Sequence, residues 1–178
     1  QAQIMRLSLR SKLNWTREIV SDNLEKVIAG IKKGNPLFLT INTSDILNKM
    51  VDFEDHENHE LMVINAFPNL ELDNFYYRVS SYGKRALVTI GKREYVNWIL
   101  DQLEKLGVIP LDISLGLYHL QDVLPYMPGT SHSLSNFHIY HDSEQLLSLE
   151  RIEQSKDQEI ISIEGLDLQR TSILSFAH

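Results

Sequence analysis

The densest run of groups able to do chemistry is Asp55-His56-Glu57-Asn58-His59-Glu60. On a helix, His56 and His59 sit three apart and share a face, with Glu60 beside them, a donor set that zinc accepts. A zincin helix, however, needs His-Glu, two residues, then His, and Glu60 fills that last place. The run is therefore read as a solvated, acidic helix start. Gly91-Lys92-Arg93 is the next candidate: a glycine at a strand end, two cations and a helix N-terminus ahead, where an anion could sit. The plainer reading, a strand-to-helix turn with solvated cations, is preferred. None of the eight glycines falls in a GxGxxG or GxxxxGK[ST] pattern, so no backbone cradle for a phosphate is visible. Gly30 and Gly34 flank a helix C-terminus, the wrong end for an anion.

The other histidines, His119, His132, His138, His141 and His178, are scattered. His138 and His141 bracket a strand end, are expected to face solvent, and form no nucleophile–base–orienter set with a serine or aspartate. Ser8, Ser11, Ser80, Ser81, Ser114 and Ser148 lack a nucleophile-elbow context. Trp15, Trp98 and Phe75-Tyr76-Tyr77 would suit base stacking only beside clustered cations, which are missing. Trp98 marks the flank of its helix, where another element or another protein packs. No residue is assigned a catalytic, cofactor-binding or metal-binding role.

These residues hang on a chain of 178 residues, 43% hydrophobic, with a net charge of −7 and no cysteine. That is enough for a real core. The charge argues against nucleic acid or anionic lipid as partner. No apolar run reaches the roughly 20 residues of a membrane-spanning helix, no secretory signal is visible, and disulfides are excluded. A cytoplasmic setting is expected, with the chain held at most peripherally at a membrane.

The organising stretch runs from Arg85 to Gly116. Ala86 to Ile90 is a strand-like apolar run, Tyr95, Val96, Ile99, Leu100, Leu103 and Leu106 recur at helical spacing, and Val108 to Leu115 is apolar again. Strand, helix and strand predict a right-handed crossover joining parallel strands. Before it, a strand over Gln1 to Arg10 precedes a helix capped at Asn14, Thr16 or Ser21 with a stripe from Ile19 to Ile31. Strands follow at Leu37–Thr43 and, returning, Ile46–Phe53; then a short helix from Leu61 to Phe67, and a hairpin pairing Phe75–Ser81 with Arg85–Gly91. After it come a short helix over Tyr118–Leu124 and a linker from Pro125 to Ser133. Strands at Leu134–Tyr140, Gln145–Ile152 and Glu159–Ile163 lead to a terminal helix over Leu166–Ala177. The strands at Leu134–Tyr140 and Gln145–Ile152 offer edges to which another chain could add.

The order of elements resembles a family. Gly34-Asn35-Pro36-Leu37 into LTINTSDILNKMV, then NAFPNLELDNFYYRV, ALVTIGKREYVNWILDQLEKLGVIPLDISLG and IEGLDLQRTSILSFA are similar to segments of the actin-like cytoplasmic platform proteins of type II secretion and type IV pilus assembly, the GspL/PilM type. The resemblance spans Leu24 to Ala177. It implies an α/β chain with a ribonuclease-H-like (actin-like ATPase) mixed sheet over residues 1–127, and a β-rich part with a terminal helix over 128–178, the start of a second module. It also implies a non-catalytic scaffold whose partners are an assembly ATPase and membrane platform subunits, with a homodimer possible. Actin-like proteins that bind ATP use two glycine-rich hairpin turns carrying an aspartate. Residues 1–15 contain no Asp-x-Gly, and the second turn reads His141-Asp142-Ser143-Glu144, without glycine. ATP binding is therefore not expected. An actin-like nucleotide-binding protein or ATPase, and a small-molecule sensor on an α/β sheet, stand as alternatives.

Overall fold

The computed structural model describes residues 2–9, 13–21, 23–31, 34, 36–53, 58–134, 137–142, 145–152, 160–163 and 166–169. It opens on an antiparallel pair, β1 (Ala2–Leu9) and β2 (Leu13–Ser21). The helix expected from Asn14, Thr16 or Ser21 thus starts later. Trp15, Thr16, Ile19 and Val20 are aromatic or β-branched and suit a strand better. α1 (Leu24–Ala29) begins only where the Asn23 side chain accepts the Lys26 N–H at 3.2 Å.

β3 (Phe38–Ile41) and β4 (Ile46–Asp52) occupy the expected stretches, but β4 does not return along β3. After α2 (His59–Ala66), the hairpin of β5 (Phe75–Tyr82) and β6 (Arg85–Lys92) forms as expected. Gly83, at φ 60, takes the first of its two turn positions, the one that needs a positive φ in a type II′ turn. β4 adds to the far side of β6, giving the order β4-β6-β5.

α3 (Arg93–Lys105) follows, closed by Gly107 at φ 68. Gly107 N–H donates to Glu104 O at 2.7 Å and Val108 N–H to Leu103 O at 3.0 Å, a Schellman closure. β7 (Asp112–Leu115) is shorter than the predicted run and runs parallel to β3, not to β6. The expected crossover joining parallel strands of one sheet does not form: β4 and β5 take both hydrogen-bonding edges of β6, and β7 belongs to the sheet of β3.

β6 is buried on both faces, and its side chains alternate between two packings. Ala86, Val88 and Ile90 meet Met62, Val63 and Ala66 of α2. A Cβ on Gly91 would lie 2.6 Å from Ile46 Cδ1, so this glycine leaves room for the Ile46 side chain. Ile46 in turn packs with Val96, Ile99 and Leu103 of α3, Ile28 of α1, Ile41 and Leu115.

The second half continues with α4 (Leu120–Val123), a 3-10 turn at Leu124–Tyr126, and the antiparallel strands β8 (Ser131–Leu134), β9 (Phe137–His141) and β10 (Leu146–Arg151). The predicted strand at Leu134–Tyr140 is divided, since Leu134 closes β8 and β9 starts at Phe137. The predicted linker likewise ends inside β8. Leu117, Leu120, Val123, Leu124 and Met127 share one apolar cluster with Leu134, Phe137, Ile139 and Leu146, and with Tyr82 and Leu87 of the hairpin. Last come β11 (Ile160–Ile163) and β12 (Leu166–Gln169), an antiparallel pair. The terminal helix expected from Leu166 is replaced over 166–169 by a strand. Leu166 and Leu168 alternate with Asp167 and Gln169, a period of two. The rest of that expected helix lies outside the described residues. The architecture is mixed α/β and rich in strands.

Asn48 is a node between the parts. Its Oδ1 accepts from Thr89 Oγ1 at 2.8 Å and from the Leu117 N–H at 3.2 Å. Gly116, at φ 55, passes so close that a Cβ would lie 2.5 Å from Asn48 Oδ1. One side chain thereby ties β4 to β6 and to the turn after β7.

Candidate functional site

The acidic-histidine run divides. His56 lies outside the described residues; His59 opens α2 and is exposed, as is Glu60. The Asn58 side chain caps α2, accepting the Leu61 N–H at 2.8 Å. Among the described residues no group of three or more His, Asp or Glu side chains is arranged to hold a metal ion.

At Gly91-Lys92-Arg93 the glycine serves packing, and the second cation is turned back. Arg93 Nε donates to Phe75 O at 3.1 Å, and its guanidinium lies 4.5 Å from the Tyr76 ring centroid. The Tyr76 hydroxyl donates to Asn97 Oδ1 at 3.0 Å. This network fastens the start of α3 to β5.

The turn between β9 and β10 is closed by its own carboxylate. Asp142 Oδ1 accepts the Gln145 N–H at 2.7 Å. His141 does not face solvent: it is 1% exposed, its Nδ1 is 2.7 Å from Asp142 O, and its ring stacks on buried His132 at 5.2 Å. Both strands point these rings inward, so the alternation places them with the apolar core. His138 lies on the other face, each ring nitrogen 2.9 Å from a serine hydroxyl, Ser131 Oγ and Ser133 Oγ. A hydroxyl stands where a triad has its carboxylate. Ser80 is buried and donates to Tyr118 O at 3.0 Å.

Two of the clefts among the described residues bear on function. One, of about 430 Å³, lies between β5 and the β7–α4 corner and is lined by His59, Tyr77, Arg78, Asp112, Tyr118 and His119 among others. Arg78 is 5.9 Å from the Tyr118 ring centroid. His119 Nδ1 is 3.0 Å from Asp122 Oδ2 and its Nε2 is 3.7 Å from Asp112 Oδ2. Beneath this corner, burial pushes the Tyr82 phenol well above its ordinary value, Asp122 pushes it further, and a backbone contact from Gln121 offsets part of the rise. The other cleft, of about 380 Å³, separates β4 from β9 and β10, with Asn48, Phe137 and Arg151 in its walls. The first cleft escaped sequence reading because its walls come from chain positions as far apart as 59, 78 and 119.

Apolar side chains also reach the described surface. Phe38, Ile109 and Leu111 are exposed around the start of the β3–β7 pair. On α3, Trp98 is 48% exposed and stacks with Tyr95 at a centroid distance of 6.2 Å, on the side away from Val96, Ile99 and Leu103 rather than on the expected flank. No helix among the described residues is long and apolar enough to cross a membrane.

No protein-family model matches the chain, and no curated protein matches it significantly. A solved structure does: the cytoplasmic domain of EpsL, an inner membrane component of the type II secretion system of Vibrio cholerae, at 15% identity and a TM-score of 0.51 over 84% of this chain. The chain spans 66% of that domain. At such identity the likeness is one of fold.

Proposed function

We propose that this chain is a cytoplasmic scaffold domain of a secretion- or pilus-type membrane assembly machine, on a ribonuclease-H-like framework of the actin-like class, and that it works by binding other proteins without catalysing a reaction. The observation that carries this reading is the likeness in fold to the EpsL domain along most of the chain. The local chemistry supports binding over catalysis. Arg93 is committed to Phe75 and Tyr76, Asp142 to its own turn, and His138 to two serines. The partners in this reading are the assembly ATPase and the membrane platform subunits. Calorimetric titration of the purified chain with the secretion or pilus ATPase of the same cell should give saturable heat, with a dissociation constant of about 10 μM or tighter. Absence of heat with that ATPase and with the platform subunits would sink the reading. Saturable heat with ATP and magnesium would favour a nucleotide-binding protein instead.

A further inference from the structure

α3 buries Val96, Ile99 and Leu103. Its opposite side carries Glu94, Trp98 and Asp101, where Trp98 follows Glu94 by four residues and precedes Asp101 by three. At that spacing the three side chains are neighbours on the helix surface. Trp98, nearly half exposed, stacks on Tyr95 with 22° between the ring planes. Glu94 and Asp101 are exposed, and neither makes an ion pair among the described residues. Of the nearby cations, Arg93 is held against β5; Lys105, four residues after Asp101 on the same side of α3, forms no ion pair with it among the described residues.

An indole face attracts a cation, and a carboxylate on each side strengthens the attraction. A second copy of the chain is a poor occupant. A twofold interface sets a patch against itself, so two carboxylates and the single ammonium of Lys105 would face the same excess of negative charge. Lipid headgroups and nucleic-acid phosphates are repelled by the same carboxylates. A guanidinium suits the site better than an ammonium, since its plane stacks on indole while its N–H groups reach carboxylate oxygens.

We propose that Glu94, Tyr95, Trp98 and Asp101 form a docking face for an arginine-bearing segment of a partner protein, with a guanidinium seated on the Trp98 ring between the two carboxylates. This stands on α3 alone and does not depend on the secretion-machine reading.

The test titrates the full chain with an amidated alanine–arginine repeat peptide at physiological salt, with the glutamate counterpart as control. The Trp98→Ala variant and the Glu94→Gln/Asp101→Gln double variant should each weaken binding about tenfold or more. Glu60→Gln/Glu150→Gln, which removes the same charge elsewhere, should stay within about twofold. Should Trp98→Ala lose its fold, the isosteric double variant decides. Equal weakening in both double variants, unchanged binding in the first, or no binding by the unaltered chain overturns the proposal. So does a dimer that Trp98→Ala disperses, which would give the face to a second copy.

Discussion

Tyr82 shows how one residue reports its surroundings. Its phenol sits in the cluster that joins the β5–β6 hairpin to α4, and burial with Asp122 nearby disfavours the phenolate. The folded state therefore keeps its proton at pH values where the unfolded chain, with an ordinary value of 10.0, gives it up. Stability from this group is fully present below that value and is lost as pH rises through it toward the raised folded one. Tyr82→Phe should match the unaltered chain in urea unfolding near neutral pH. About one unit above the ordinary tyrosine value it should be the more stable, the gap growing by at most about 1.4 kcal/mol per pH unit. An unchanged gap across that range would mean that the phenol reaches water. Residue chemistry of this kind was legible in part. The sequence set Trp98 off the buried stripe of its helix and identified Arg93 as a cation at a strand-to-helix turn. It did not show that His132 and His141 stack in the core, because which face of a strand is buried is decided by what packs on it.

Among the elements, those set by local signals formed where expected. The β5–β6 hairpin follows from alternating aromatics around Gly83, and α3 from its apolar spacing and the Gly107 stop. α2 depends on its cap: eight residues are too few to hold helix alone in water. Asn58→Ala leaves the Leu61 N–H without its acceptor and should cost about 1 kcal/mol. Chemical denaturation checks this, and Asn58→Asp or Asn58→Ser should restore most of the loss. No change in Asn58→Ala would show that water replaces the cap at no cost. The misplaced elements share a cause. Residues 14–21 and 166–169 have apolar spacing compatible with helix or strand, and the strand won at both, where a neighbouring strand completes its backbone hydrogen bonds.

Across the whole molecule, the shared cluster links the hairpin, α4 and the β8–β9–β10 sheet. Arg85 adds a second link, pairing with Asp52 at 3.0 Å and donating to the Leu147 carbonyl of β10. Ile139, fully buried in this cluster, should therefore report on both halves. Ile139→Ala should cost about 2–5 kcal/mol and shift a single unfolding transition seen alike by far-ultraviolet circular dichroism and tryptophan fluorescence. Two separated transitions, with only one moved, would show that the halves unfold independently. The sequence by itself determined the hairpin, α3 with its Gly107 stop, and the mixed α/β class, since these rest on side-chain period and turn residues a few positions apart. Tertiary structure alone decided that β7 joins β3, that Asn48 ties three elements together, and that residues near 59, 78 and 119 meet at one cleft. Such pairings depend on which sheet edges are already occupied, a property of the assembled fold and of no single stretch of chain.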